Sequence, residues 1–181
     1  MRPECWPAVR AIYSEGIATG HATFETELPE WEKWDNSHRQ DCRLVAVESI
    51  NPVADDLVTP IDTATILGWA ALSPVSVRHV YSGVAEVSVY IAAAARGKGV
   101  GKALLVSLVQ ESEASGIWTL QAGIFPENVA SIALHKSCGF REVGIRRRLG
   151  KLGAVWRDVL LLERRSDIAG VGVSGSPSQD A

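Results

Sequence analysis

Between Val84 and Gly101 an acidic residue, an alternating run and a glycine turn follow one another without a break. Ala85, Val87, Val89 and Ile91 fall on one side of the alternation, and Glu86, Ser88 and Tyr90 on the other. That period of two predicts a strand over 84–91. Arg96-Gly97-Lys98-Gly99-Val100-Gly101 comes next; then Gly101, Leu104, Leu105 and Leu108 recur at helical spacing as far as a capping Gly116. Strand, glycine turn and helix in that order present backbone N–H groups and the positive end of a helix dipole. Gly97, Gly99 and Gly101 let the backbone come close to a ligand. The chemistry these residues can do is to hold a phosphate or pyrophosphate.

Two common phosphate motifs do not fit. A P-loop needs Gly-Lys followed by Ser or Thr, with a glycine five positions before that Gly. Here Ala103 follows Gly101-Lys102, and Arg96 occupies the earlier glycine position. A dinucleotide fingerprint needs G-x-G-x-x-G in the first strand-to-helix turn, whereas this chain has G-x-G-x-G in mid-chain. A purely structural turn that binds nothing is the bland alternative.

Other elements must position this unit. Pro7 to Gly16 predicts a first helix, with Ala8, Val9, Ile12 and Tyr13 on its apolar side. Ala22-Thr23-Phe24-Glu25 reads as a loop or short extended piece. Pro29 suits the first turn of a second helix through Trp31, Trp34 and His38, its tryptophans sharing a packing face. Strands are predicted over 43–48, 63–72, 118–124, 142–148 and 155–162, with Gly68 a possible bulge in the second. Asn51 to Asp62, with its prolines and aspartates, reads as a loop, and Pro74 to Gly83 as a connection. A last helix runs from Pro126 through Lys136, with Asn128 as N-cap, and Gly139-Phe140 closes it. Gly150 to Gly153 joins the final strands. Ser166 to Ala181, rich in Ser, Gly and Asp, reads as a disordered tail after a single domain of residues 1–165. The order gives a mixed α/β chain whose helices pack on a central sheet.

The 181 residues are 46% hydrophobic and 22% charged, an ordinary globular balance with enough apolar content for one real core. A net charge of −3 without a long basic run argues against a nucleic-acid surface. No apolar run is long enough to span a bilayer, and Glu4 and Pro7 interrupt any signal-peptide core, so no membrane partner is expected. Cys5, Cys42 and Cys138 are an odd set without metal-like spacing, which reads as reduced cytoplasmic thiols. His21, His38 and His79 show no metal spacing either, and no metal is assigned.

Arg96 to Gly101 resembles, without mismatch, the acetyl-coenzyme A turn Gln/Arg-x-x-Gly-x-Gly/Ala of the GNAT acetyltransferases. Asn128-Val129-Ala130-Ser131-Ile132-Ala133-Leu134-His135-Lys136-Ser137-Cys138-Gly139-Phe140 resembles a second signature of the same superfamily, in the right order. Ala11-Ile12-Tyr13, Ala22-Thr23-Phe24-Glu25, Arg78 with Tyr81, Glu86 to Ile91 and Trp156-Arg157-Asp158-Val159 are similar to the phosphinothricin N-acetyltransferase group. That group includes amino-acid, methionine sulfone and methionine sulfoximine acetyltransferases. The likeness runs from Pro3 to Arg164. Relatives begin with a strand before the first helix; here Met1 falls at that helix, so the strand is expected to be short or missing. Ser76 stands where relatives often place a basic residue.

The resemblance implies an α/β (α+β) GNAT fold, with a mostly antiparallel mixed sheet and helices on both faces. It implies acetyl-coenzyme A as cosubstrate and a small-molecule amine as acceptor. Acyl transfer from a thioester requires the amine to lose a proton, the carbonyl to be polarised and the thiolate to leave. Glu86 is the candidate base. The backbone of Val89, Tyr90 and Ile91 would pair with the pantetheine arm, with an N–H near Tyr90 or Ile91 for the oxyanion. Arg96, Gly97, Lys98, Gly99, Val100, Gly101 and Lys102 would hold the pyrophosphate, and Asn128 and Ser131 lie on the coenzyme side. His135 could protonate the departing thiolate; its alternative is a structural hydrogen bond. Arg78 and Tyr81 are the substrate-side candidates, arginine binding a carboxylate or phosphinate as a fork, with Phe24 and Glu25 as pocket walls. A homodimer in the cytoplasm is expected. The alternatives are the same fold acting on a protein N-terminus or polyamine, a non-catalytic coenzyme A sensor, and a nucleotide-dependent oxidoreductase.

Overall fold

A computed structural model describes residues 1–48 and 65–171; the expected loop over 51–62 and the tail from 172 lie outside them. Helix α1 spans Trp6–Ala18, with Pro7 in its first turn and Val9, Ile12, Tyr13 and Gly16 buried along one stripe. It stops where Gly20 turns left-handed, and Thr19 donates its N–H and its hydroxyl to the Gly16 carbonyl. Helix α2, Trp31–Ser37, buries Trp34 and ends one residue before the predicted boundary, because His38 is extended.

Six strands follow: β1 Arg43–Val47, β2 Ile66–Pro74, β3 Val84–Ile91, β4 Thr119–Ile124, β5 Arg141–Leu152 and β6 Val155–Arg165. Helix α3, Val100–Ala114, lies between β3 and β4, and α4, Val129–Ser137, between β4 and β5. The sheet order is β1-β2-β3-β4-β6-β5, parallel at β3–β4 and antiparallel elsewhere. This is the mixed, mostly antiparallel sheet that was expected. Ala46 pairs with Gly68 and Val47 with Ile66, leaving Leu67 as an extra residue beside the predicted bulge glycine.

Alternation along the strands feeds two cores. Ala70, Leu72, Ala85 and Val87 join Leu105 and Leu108 of α3 on one face. Trp69, Ala71 and Tyr90 join Val9, Tyr13 and Trp34 of α1 and α2 on the other. Arg43 ties α2 to β1: its guanidinium pairs with the Asp35 carboxylate, donates to the carbonyls of Asp35 and His38, and lies 5.1 Å from the Trp34 ring centre. That hydrogen bond holds the Asp35 carboxyl below its ordinary pKa.

Two expectations need correction. Leu152 pairs with Val155, so the β5–β6 turn is Gly153-Ala154 and Gly150 lies inside β5. A Cβ at Gly150 would stand 2.9 Å from the Phe24 ring, so the glycine is there for packing and not to break the strand. The tail was read from Ser166, yet Ser166–Val171 is folded. The Arg165 guanidinium donates to the carbonyls of Trp118, Ser166, Ala169 and Gly170, and the Ser166 N–H donates to Trp118.

Candidate active site

The central strands part company. β3 pairs with β4 only at Val84, Ala85 and Glu86, against Thr119, Leu120 and Gln121, although both strands continue beyond. Ala92 donates to the Leu67 carbonyl. Antiparallel alternation then commits the backbone of Tyr90 and Ser88 to β2, and turns the N–H and C=O groups of Val87, Val89 and Ile91 toward the gap. Arg96 Nε donates to the Ile91 carbonyl at 3.2 Å, consistent with that orientation. Of the two N–H groups expected to face a reacting oxygen, Ile91's is therefore open and Tyr90's is used.

A cavity of about 920 Å³ follows the gap from α1 and α2 to the N-termini of α3 and α4. Gly97 and Gly99 have φ of +75° and +82°, and a Cβ on either would meet nothing within 4 Å. This backbone is left-handed and bare, as an anion-binding turn needs to be. The amides of Val100, Gly101 and Lys102 begin α3 and have no intrahelical acceptor. Gly101 has another reason to be glycine: a Cβ there would press on Leu134 at 3.2 Å. Arg96, Gly97, Gly99, Gly101 and Lys102 line the cavity; Lys98 is exposed beside it, and Val100 packs toward the core. Asn128 caps α4 by accepting from the Ser131 N–H at 3.2 Å and donates to the His21 carbonyl, and both Asn128 and Ser131 line the cavity. Amides facing an extended slot and a glycine cradle at a helix N-terminus suit a long diphosphate ligand carrying amide groups of its own.

Glu86 is the last paired residue before the strands diverge. Gln121 Nε2 donates to its Oε2 at 2.9 Å, and bare Gly123 leaves Oε1 3.6 Å from where a Cβ would sit. The carboxylate borders the large cavity on one side and a smaller one, about 220 Å³, on the other. Tyr90 shares its face, but its side chain is packing: it stacks on Trp69 and meets Tyr13 edge-on, and burial pushes its hydroxyl far above the ordinary tyrosine pKa.

His135 also lines the large cavity and is 3% exposed. Its Nδ1 is 2.8 Å from the Ser131 carbonyl, which can only accept, so Nδ1 carries the proton. Among the described residues Nε2 is buried without a partner, and burial lowers the ring's pKa. The neutral ring therefore has no proton on Nε2 to give to a thiolate. This geometry fits the structural alternative.

Phe24 and Glu25 line the large cavity, and Phe24 meets Phe125 edge-on at 4.7 Å. Arg78 and Tyr81 do not reach either cavity. They sit on the exposed β2–β3 connection, with the Arg78 guanidinium 5.7 Å from the Tyr81 ring centre. Other side chains line the cavities instead: His38 the large one, Gln121 and Arg146 the small one. Ser88 could have been found, since it is two residues from Glu86 on the same face. Among the described residues, no group of three or more His, Cys, Asp or Glu gathers where a metal could sit, and no helix is long and apolar enough to cross a membrane.

Comparison with known proteins agrees with this geometry. The acetyltransferase (GNAT) family model matches residues 10–140. Phosphinothricin N-acetyltransferase of Alcaligenes faecalis is 33% identical over 91% of this chain and 79% of its own length. The L-methionine sulfoximine/L-methionine sulfone acetyltransferase of Pseudomonas aeruginosa is 28% identical over 89% of each chain. The crystal structure of a phosphinothricin acetyltransferase from Sinorhizobium meliloti in complex with AcCoA superposes with a TM-score of 0.71 at 28% identity, covering 94% of this chain and 86% of that one. A match of that extent is decisive for the family: this chain is a GNAT acetyltransferase, an N-acetyltransferase that takes its acetyl group from acetyl-coenzyme A.

Proposed function

We propose that this enzyme acetylates the α-amine of a small amino acid or analogue, of the phosphinothricin or methionine sulfone/sulfoximine type, by direct attack in a ternary complex with Glu86 as general base. The observation that carries the reading is the place of Glu86, where the gap for the cosubstrate meets a second pocket of small-molecule size. The thioester supplies an activated acetyl carbon. As its C–N bond to the amine forms, its C–S bond breaks and the coenzyme leaves as thiolate, which takes up, through solvent, the proton that the attacking nitrogen sheds. The chain's residues do the rest. Val87, Val89 and Ile91 offer main-chain partners along the gap, and the turn from Arg96 to Lys102 holds the diphosphate. The Ile91 N–H faces the carbonyl oxygen, where a preorganised donor is most effective. Glu86, oriented by Gln121, takes the ammonium proton directly or through a water, since an ammonium has no lone pair for attack. We assign His135 the hydrogen bond that fixes α4 rather than a proton-transfer step.

Thiol release from acetyl-coenzyme A, scanned over phosphinothricin, methionine sulfone, methionine sulfoximine and the common amino acids, tests the substrate class. Glu86→Gln tests the base. It should lower kcat by roughly a hundred- to ten-thousandfold while leaving coenzyme affinity unchanged. Wild-type turnover in that variant would remove Glu86 from the mechanism. Turnover with peptides or polyamines alone would move the reading to another amine, and none with any amine would favour a coenzyme A sensor. The working form in this proposal is a homodimer, and Arg78 and Tyr81 keep a substrate role only if the second copy brings them to a pocket.

A further inference from the structure

The small cavity beyond Glu86 is closed by four strands whose inward residues share one face of the sheet. Glu86 pairs with Gln121; Gly123 pairs with Leu161; and Val159, two residues along β6, pairs with Arg146 of β5. Directly opposed residues point to the same side, so Arg146 faces the side that Glu86 faces. Both line this cavity. Between them Phe24, Phe125, Leu149, Val159 and Leu161 give apolar wall, and Thr23 and Gln121 polar wall. A volume of about 220 Å³ is room for roughly seven waters, the scale of a free amino acid rather than a folded peptide.

Three other arginines of this hairpin already have carboxylate partners. Arg141 pairs with Glu163, Arg157 with Glu127 and Arg164 with Glu113. Among the described residues Arg146 makes no ion pair, and of the Arg146-Arg147-Arg148 run only Arg146 lines the cavity. The bulge between Arg146 and Gly150 sets three residues against Asp158, which accepts from the Arg148 N–H and fixes the distortion. Leu149 is thereby brought to the rim beside Arg146.

We propose that this cavity is the acceptor pocket and that Arg146 is its specificity-determining residue, binding the substrate's carboxylate while Glu86 faces its ammonium. The assignment rests on the amino-acid reading above. An acid, a guanidinium and a mixed wall suit a zwitterion whose side chain lies against Phe24 and Phe125. The fork of Arg146 suits a carboxylate or a phosphinate equally. Arg78, outside the pocket, then has no part in binding within one chain.

The test compares the best amino-acid substrate with its methyl ester, which keeps the amine and loses the anion. Arg146→Met should raise KM for the acid roughly ten- to hundredfold, the effect of losing a charged hydrogen bond. The KM values for the ester and for acetyl-coenzyme A should stay near wild type, as should the melting temperature. Arg146→Glu should reverse the preference and favour the ester. An unchanged KM for the acid in Arg146→Met, or an equal loss for acid and ester, would overturn the assignment while leaving the amino-acid reading intact. A wild-type enzyme that acetylates other amines but no free amino acid would instead overturn the reading itself, and the assignment with it.

Discussion

Glu86 is held in place by neighbours that sequence alone does not bring near it. Gln121 follows it by 35 positions and meets it only because β3 and β4 run parallel for three residue pairs. The acid itself was legible, as the polar member of an alternating strand just before a glycine turn. Its partner was not, because register between distant strands leaves no local trace. Two histidines carry a different consequence. His135 is buried and His38 half-buried, and desolvation lowers the pKa of each below 6.5; the Arg43 charge adds to the effect at His38. Below pH about 6.5 the unfolded chain therefore binds protons on these rings that the folded chain refuses. Stability is complete above that pH and falls as pH drops toward the folded-state values. The melting temperature should decline between pH 7 and pH 5, before carboxylates such as Asp35 and Glu127, whose pKa values are lowered, begin to protonate. Replacing His135 by Gln should flatten that decline, and an unaltered slope would show that this ring contributes nothing to it.

At the scale of the elements, the glycine turn joins sequence to function most directly. Its glycines were read as letting the backbone come close to a ligand, and the folded turn is left-handed and bare at Gly97 and Gly99. Gly99→Ala should strain the N-cap of α3 by about 1–2 kcal/mol and raise KM for acetyl-coenzyme A more than it changes kcat. A Cβ at Gly99 would meet no atom of the protein, so any loss of affinity comes from the altered path of the backbone. Steady-state kinetics with varied cosubstrate decide this; an unchanged KM would mean that the turn tolerates the strain without moving. Helices and strands were readable from periodicity because each buries one stripe or one face. Periodicity failed where a residue answers to something far away. Gly150 reads as a strand breaker and is a seat for the Phe24 ring. Ser166 to Val171 reads as tail and is bound by the Arg165 guanidinium to the chain around Trp118. The site split in the same way: the residues proposed for the coenzyme lie in two local motifs, whereas the proposed acceptor pocket is assembled from β3, β4, β5, β6 and the loop after α1.

Over the whole molecule, apolar surface is unevenly spread. Val143, Ile145, Val155 and Trp156 are all exposed on the β5–β6 hairpin at the end of the sheet. A second copy laid against this hairpin would cover apolar side chains that otherwise meet solvent. Sedimentation at micromolar concentration should give twice the monomer mass, and Trp156→Asp should return it to one; a monomer in the unaltered protein would refute the dimer. The parting of β3 from β4 has a wider consequence. Every amide in that fissure is one the chain could have spent on its own cohesion, and Glu86 stands where the spending stops. A relative whose central strands stayed zipped to their ends would be the sturdier protein, with nowhere for a thioester to lie; the sheet is reactive where it is unfinished.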